Sequence, residues 1–205
     1  MTEPELRETQ LSSREIFDGR ILHVFEDTVR LPNGAAASRE YLRHIGAVCV
    51  IPVLEDGSVL VERQYRYPVA QVLTEIPAGK LDAKDEDHLL AAQRELREET
   101  GLAARPEEFT LLLREDCRTD AHFDIYALTW EGAPEDIRFQ AGETDAARWV
   151  PLADWEAVAG TEGTLCPARE EAYKQELYRR IALYLQGQRE FSQKEARYAR
   201  AVGPV

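Results

Sequence analysis

At 205 residues the chain has room for one domain, or one domain with a small appendage, and a balance of 44% hydrophobic to 31% charged residues belongs to a protein that folds. A net charge of −13 argues against a surface made to grip nucleic acid, because that affinity comes from Lys and Arg neutralising phosphates. There is no apolar run near the ~20 residues of a membrane span, no basic-then-apolar leader, and no CxxC or Cys/His spacing among Cys49, Cys117 and Cys166, so a cytoplasmic protein without a membrane partner, disulfide framework or zinc site is expected.

Residues 16–45 alternate apolar and polar positions around Pro32-Asn33-Gly34, which predicts two antiparallel strands joined by a turn. "GAVCVIPVLEDGSVLVERQYR" holds two β-branched runs about an "EDG" turn, the first apolar enough for a central strand. From Asp87 to Thr100, Leu89, Leu90, Ala92 and Leu96 fall at helical spacing, and Gly101 sits where a glycine ends a helix. "FTLLLRED", "FDIYALTW" and "ARWVPL" read as strands, "LADWEAVAG" as a short helix, and Ala168 to Gln186 as a longer amphipathic one. The tail beyond Gly187 mixes Arg and Lys with Glu190 and Glu195 and reads as solvated and partly helical. Residues 1–45 are expected to form an N-terminal strand region and residues 46–205 the main domain with its C-terminal helix.

The chemistry concentrates in "GKLDAKDEDHLLAAQRELREETGL", Gly79 to Leu102. Glu95, Glu98 and Glu99 stand at i, i+3 and i+4 and so project from one helix face, where like charges repel unless cations lie against them. Converging carboxylates suit hard ions such as Mg²⁺ or Mn²⁺. The competing reading is a solvated helix whose glutamates are screened by Arg94 and Arg97. Against it, "RELREETGL" as a string should arise by chance on the order of once in 10⁴ to 10⁵ chains of this length.

Residues 79–102 resemble the Nudix box, Gly-x5-Glu-x7-Arg-Glu-apolar-x-Glu-Glu-x-Gly-apolar, with one departure: six residues separate Gly79 from Glu86, so either the loop is one residue longer or Asp85 replaces the glutamate. "RHIGAVCVIPV", "VERQYRYP" and "TEIPAGK" are similar to the ADP-ribose pyrophosphatase branch of the Nudix hydrolases. The resemblance implies an α/β/α sandwich around a mixed sheet, with an N-terminal antiparallel sheet, a C-terminal helix and a homodimer. It also implies divalent-metal-dependent hydrolysis of ADP-ribose or a related nucleoside diphosphate sugar to a nucleoside monophosphate and a sugar phosphate.

By the same resemblance Glu95, Glu98 and Glu99, with the Ala78 carbonyl, would hold Mg²⁺ or Mn²⁺, while Gly79, Glu86, Arg94 and Gly101 would shape the motif. Glu98, Glu99 or a later acid, Glu143 before Asp145, would serve the attacking water. Arg66, with Arg63, Glu75, Arg39 and Glu40, would contact substrate; Phe17 could stack on a base, but core is the preferred reading. Arg118, Asp120 and His122 occupy a loop where many ADP-ribose enzymes have Pro and Gly, which leaves room for another nucleoside diphosphate-X as substrate: a dinucleoside polyphosphate, NADH, coenzyme A or an oxidised nucleotide. A non-catalytic module that senses a nucleotide sugar is the alternative outside enzymology.

Overall fold

The computed structural model describes residues 3–19, 22–116, 122–138, 144–162, 171–188, 191 and 197–199. Two compact units divide between Ile45 and Gly46. The first opens with a single turn, α1 (Glu3–Leu6), and is otherwise a three-stranded antiparallel sheet of β1 (Thr9–Asp18), β2 (His23–Arg30) and β3 (Ala36–Arg43) in that order. The β2–β3 turn forms where Pro-Asn-Gly required it. Gly34 adopts φ 86°, and the Asn33 side chain accepts the Ala35 N–H at 3.0 Å, a local bond that stabilises the reversal.

β1 runs ahead of the expected pair, and only its end was legible. Register shifts between Gln10 and Ser12 and between Glu15 and Phe17 break the two-residue period on which recognition of a strand depends. Phe17, expected in the core, is 55% exposed at the end of this irregular strand.

Among its described residues the second unit carries eight strands, β4 (Ala47–Val53), β5 (Ser58–Arg66), β6 (Gln71–Glu75), β7 (Ala78–Lys80), β8 (Thr110–Asp116), β9 (His122–Thr129), β10 (Thr144–Pro151) and β11 (Arg197–Ala199). Their order is β10-β5-β4-β9-β8-β11, with β6 added to β5 and β7 to β4. β4 runs parallel to β9 and β11 parallel to β8, while the remaining pairs are antiparallel, so the sheet is mixed and the fold is α+β. The apolar "AVCVIPV" run is central, as its lack of a polar face demanded. Within the tail Arg197–Ala199 form β11 beside β8, a strand where a solvated, partly helical end was expected; most of the tail lies outside the described residues. Neither β6 nor β7 is legible in the sequence: β6 is exposed at two successive positions and buried at the next two rather than alternating, and β7 has only three residues.

Helix α2 (His88–Thr100) lies against β4 and β7. On the other side Ile51, Val53, Val59, Val61 and Val150 form one core with Tyr173, Ile181 and Tyr184 of α4 (Glu171–Leu185), flanked by Trp155 and Val158 of α3 (Leu152–Glu162). Each such buried side chain contributes about 1.5–3 kcal/mol of apolar burial. Buried Arg180 ties α4 to the sheet, donating to Leu112 O and to Glu176, both at 2.6 Å. Arg179 and then Arg180 hold the Glu176 carboxyl down at about 2.

A second polar tie fixes the start of α2. Asp124 of β9 is fully buried and accepts from Arg114 Nε at 2.6 Å and from Tyr126 Oη at 3.3 Å, while His88 Nδ1 stands 3.0 Å away. Burial and the Asp124 charge push the Tyr126 phenol well above its ordinary range.

Candidate active site on the acidic helix

Helix α2 begins one residue after Asp87, whose carboxylate accepts the N–H groups of Leu89 and Leu90 at 2.9 and 3.0 Å. It ends at Gly101, φ 72°, whose N–H donates to Arg97 O; a Cβ there would meet Arg138 Cβ at 2.7 Å. Glu86 therefore lies outside the helix. Ala91, Ala92, Leu96 and Thr100 are buried, and this inward stripe carries Glu99 with it, 6% exposed. Glu95 is largely covered, with a side-chain exposure of 12%, whereas Glu98 is exposed. Three glutamates that spacing makes equivalent thus have three environments.

Arg94 organises the entering loop. It donates Nη1 to Glu95 at 2.6 Å, Nε and Nη2 to the two oxygens of Glu86 at 3.2 Å each, and Nη2 to Lys80 O at 3.2 Å. Burial opposes ionisation of Glu86, but the Asp82 N–H at 2.6 Å and the Arg94 guanidinium outweigh it and lower its pKa. The loop of six residues after Gly79 closes on itself through this Asp82 contact and a Glu86 N–H to Ala83 O bond at 3.1 Å, so the extra residue is taken up in the turn. Glu86, not the exposed Asp85, is the acid that Arg94 holds. Gly79 is needed for close approach: a Cβ would stand 1.9 Å from Glu95 Cδ.

Beneath the helix the Ala78 N–H donates to Glu99 Oε2 at 2.8 Å. Glu62 of β5, 1% exposed and absent from the sequence-based candidates, adjoins Glu99. Burial, then the Glu62 charge, pushes Glu99 up to about 9 in spite of the Ala78 bond. Burial pushes Glu62 up to about 7, with Arg66 opposing and Glu75 adding to the shift. Glu95 is also raised, by burial against the pull of Arg94. Two adjoining carboxylates in a dry site resist joint ionisation unless a cation compensates them. The one sequence signal for Glu62 was an isolated acid in the otherwise apolar run "SVLVERQ".

This donor set is all oxygen and partly buried, Gly79 lets the Glu95 carboxylate lie against the backbone, and Glu62 Oε2 is buried without a hydrogen-bond partner among the described residues; these residues fit a hard divalent cation. Arg94 donates to Glu95, and the Ala78 amide donates to Glu99. Among the described residues the acid and histidine trio with ligand atoms within 4.8 Å of one another is instead Glu15, Asp18 and His23 of the N-terminal unit. Those side chains are exposed or half-buried, and His23 Nδ1 already meets Asp18 at 2.9 Å and Glu15 at 3.6 Å.

Arg66 and Glu75 come together, Nε donating to Oε2 at 2.7 Å, on the β5–β6 ladder that also pairs Glu62 with Glu75. The two-residue period of β5 puts Glu62 and Arg66 on one face and Arg63 on the other. Arg63, Val72, Thr74 and Arg148 line a cavity of about 370 Å³ there. Arg39 and Glu40 lie on β3 of the N-terminal unit, Arg39 paired with Glu8 at 2.5 Å. Glu143, Arg118 and Asp120 lie outside the described residues, and His122 opens β9.

Comparison with known proteins adds to this geometry. A NUDIX domain model matches residues 43–169, and a model of the nucleoside diphosphate sugar hydrolase N-terminal domain matches residues 8–42. The ADP-ribose pyrophosphatase of Bacillus subtilis (strain 168) is 41% identical over 100 residues, 49% of this chain and 54% of that protein. The methanol dehydrogenase activator of Bacillus methanolicus is 41% identical over 104 residues, 51% and 56% of the two chains. The chain thus spans about half the length of these relatives. In fold it is similar to the crystal structure of an ADP compounds hydrolase, with a TM-score of 0.62 and 21% identity over 89% of this chain and 97% of that one.

Proposed function

We propose, from the premise that this chain belongs to the NUDIX domain family, that it hydrolyses the pyrophosphate of ADP-ribose or a related nucleoside diphosphate sugar to a nucleoside monophosphate and a sugar phosphate. The observation that carries the reading is the α2 face, where Glu95 and Glu99 are drawn under the helix beside Gly79 and Arg94 keeps the loop around them. The match of residues 8–42 to a nucleoside diphosphate sugar hydrolase N-terminal domain supports the substrate class.

In this reading Glu95, Glu98 and Glu99, with the Ala78 carbonyl, hold Mg²⁺ or Mn²⁺. Bound there, the cation would supply charge neutralisation of the pyrophosphate and a lower pKa for the attacking water. The residues provide the rest. Arg94 orients Glu95; Arg66, held by Glu75, presents a planar donor suited to a phosphate; and Glu98 or Glu143 accepts a proton from water. Arg63 and the N-terminal Arg39 and Glu40 extend the substrate contacts. A homodimer acting in the cytoplasm completes the proposal, supported by exposed Leu11, Ile16 and Leu42 on the N-terminal sheet.

The test is a panel of nucleoside diphosphate-X compounds with Mg²⁺ or Mn²⁺ and product identification. AMP and ribose phosphate from ADP-ribose are expected. A preference for a nucleoside triphosphate, or tight ADP-ribose binding without metal-dependent turnover, would reject the reading.

A further inference from the structure

We propose that Glu62 is a further ligand of the divalent-cation site, contributed by the sheet from outside the Nudix box. The proposal rests on the reading of α2 as a cation-binding face. It starts from what is unusual about the residue's position. β5 is an interior strand, paired at Glu62 with Ala147 of β10 on one side and Glu75 of β6 on the other. Its neighbours Leu60 and Val61 are 0% and 1% exposed, so position 62 is a core slot that an aliphatic side chain would fill at no electrostatic cost.

A carboxylate occupies it instead, 1% exposed, and its Oε2 is buried without a hydrogen-bond partner among the described residues. The group makes its side-chain contact with Glu99 and lies among the charges of Arg66, Glu75 and Glu95, and the Arg66 guanidinium gives its Nε to Glu75. A buried acceptor facing further acids, with one oxygen unsatisfied, is the arrangement that a hard cation completes and a lone protein does not. Because β5 is held on both sides and α2 is capped at both ends, a cation shared by Glu62 and Glu99 would join two rigid elements, which favours a defined coordination over a diffuse acidic surface.

The experiment titrates the full chain with Mn²⁺ in the absence of substrate, read by calorimetry and by the metal-induced rise in melting temperature, for wild type, Glu62→Gln and Glu99→Gln. Glu62→Gln should weaken Mn²⁺ binding at least tenfold, shrink the metal-induced rise, and raise the melting temperature of the metal-free protein by removing one of the crowded carboxylates. A merely structural glutamate would lower that temperature and leave Mn²⁺ affinity alone. Should the Gln amide not be accommodated, Glu62→Val fills the slot with the residue type of its strand neighbour, and the same titration is read on it. Wild-type affinity in the Glu62 variants, with binding lost in Glu99→Gln, overturns the role of Glu62 and leaves the α2 site standing. Unchanged binding in Glu99→Gln overturns the α2 reading itself.

Discussion

Gly79 and Glu95 share one volume: a Cβ on the glycine would lie 1.9 Å from Glu95 Cδ and 2.1 Å from each carboxylate oxygen. The backbone at Gly79 is an ordinary strand, so the requirement is space rather than conformation. Gly79→Ala should therefore displace Glu95, which also loses its contact with Arg94, while the sheet persists. We expect turnover to drop about a hundredfold, the scale of a 1 Å misplacement, with an unchanged far-UV circular dichroism spectrum. Wild-type turnover in this variant would show that Glu95 is free to move without consequence.

Arg94 joins Glu86, Glu95 and the Lys80 carbonyl through a planar fork that a lysine cannot reproduce. Arg94→Lys should keep the charge but lose the simultaneous contacts. Urea denaturation is expected to show a loss of about 1.5–3 kcal/mol, the range for hydrogen bonds to charged groups. Turnover should fall further than stability alone explains, because the loop and Glu95 lose their common anchor.

The raised carboxyls predict an unusual pH dependence for the metal-free protein. Glu62 and Glu99, pushed up to about 7 and about 9, hold protons that the unfolded chain has released above the ordinary range near 4.5. Unfolding then releases protons, so this contribution is fully present below about 4.5 and is lost as pH rises through 7 and towards 9. With EDTA, the melting temperature should decline from pH 6 to pH 9. Added Mg²⁺ binds the ionised cluster, so the stabilisation it brings should grow over the same interval. A metal-free melting temperature that is flat or rising across that window contradicts the burial of the pair.

Asp124 anchors α2 at its first residue, His88, and is paired with Arg114. Asp124→Asn retains the shape and removes the charge that Arg114 and His88 face. Breaking a pair whose acid is fully buried should cost about 3 kcal/mol, measurable by urea denaturation. If stability is unchanged, the network is incidental to the placement of the helix.

The α2 motif was legible in the sequence because everything that defines it is local. A helix repeats every 3.6 residues, so Glu95, Glu98 and Glu99 must share a side, and Asp87 and Gly101 carry the side-chain acceptor and the positive φ that bound it. The β4–β5 hairpin and the central place of β4 were legible for the same reason, apolar runs about a turn. β1 was obscured by its bulges and β11 by its three-residue length, and both strands exist because neighbours pair with them.

Sequence by itself determined that a carboxylate-bearing helix face is present, that it lies in a folded chain, and that an arginine and a glycine belong to it, since backbone period and spacing settle these. Only the tertiary structure decided that Glu99 is buried and Glu98 exposed, that Arg66 shares the face of Glu62 while Arg63 does not, and that Glu62 meets Glu99 at all. Those outcomes depend on how the sheet, on whose β4 and β7 strands α2 packs, brings β5 and the helix together. Their energies, burial and the mutual repulsion of carboxylates, exist only once the two are brought together.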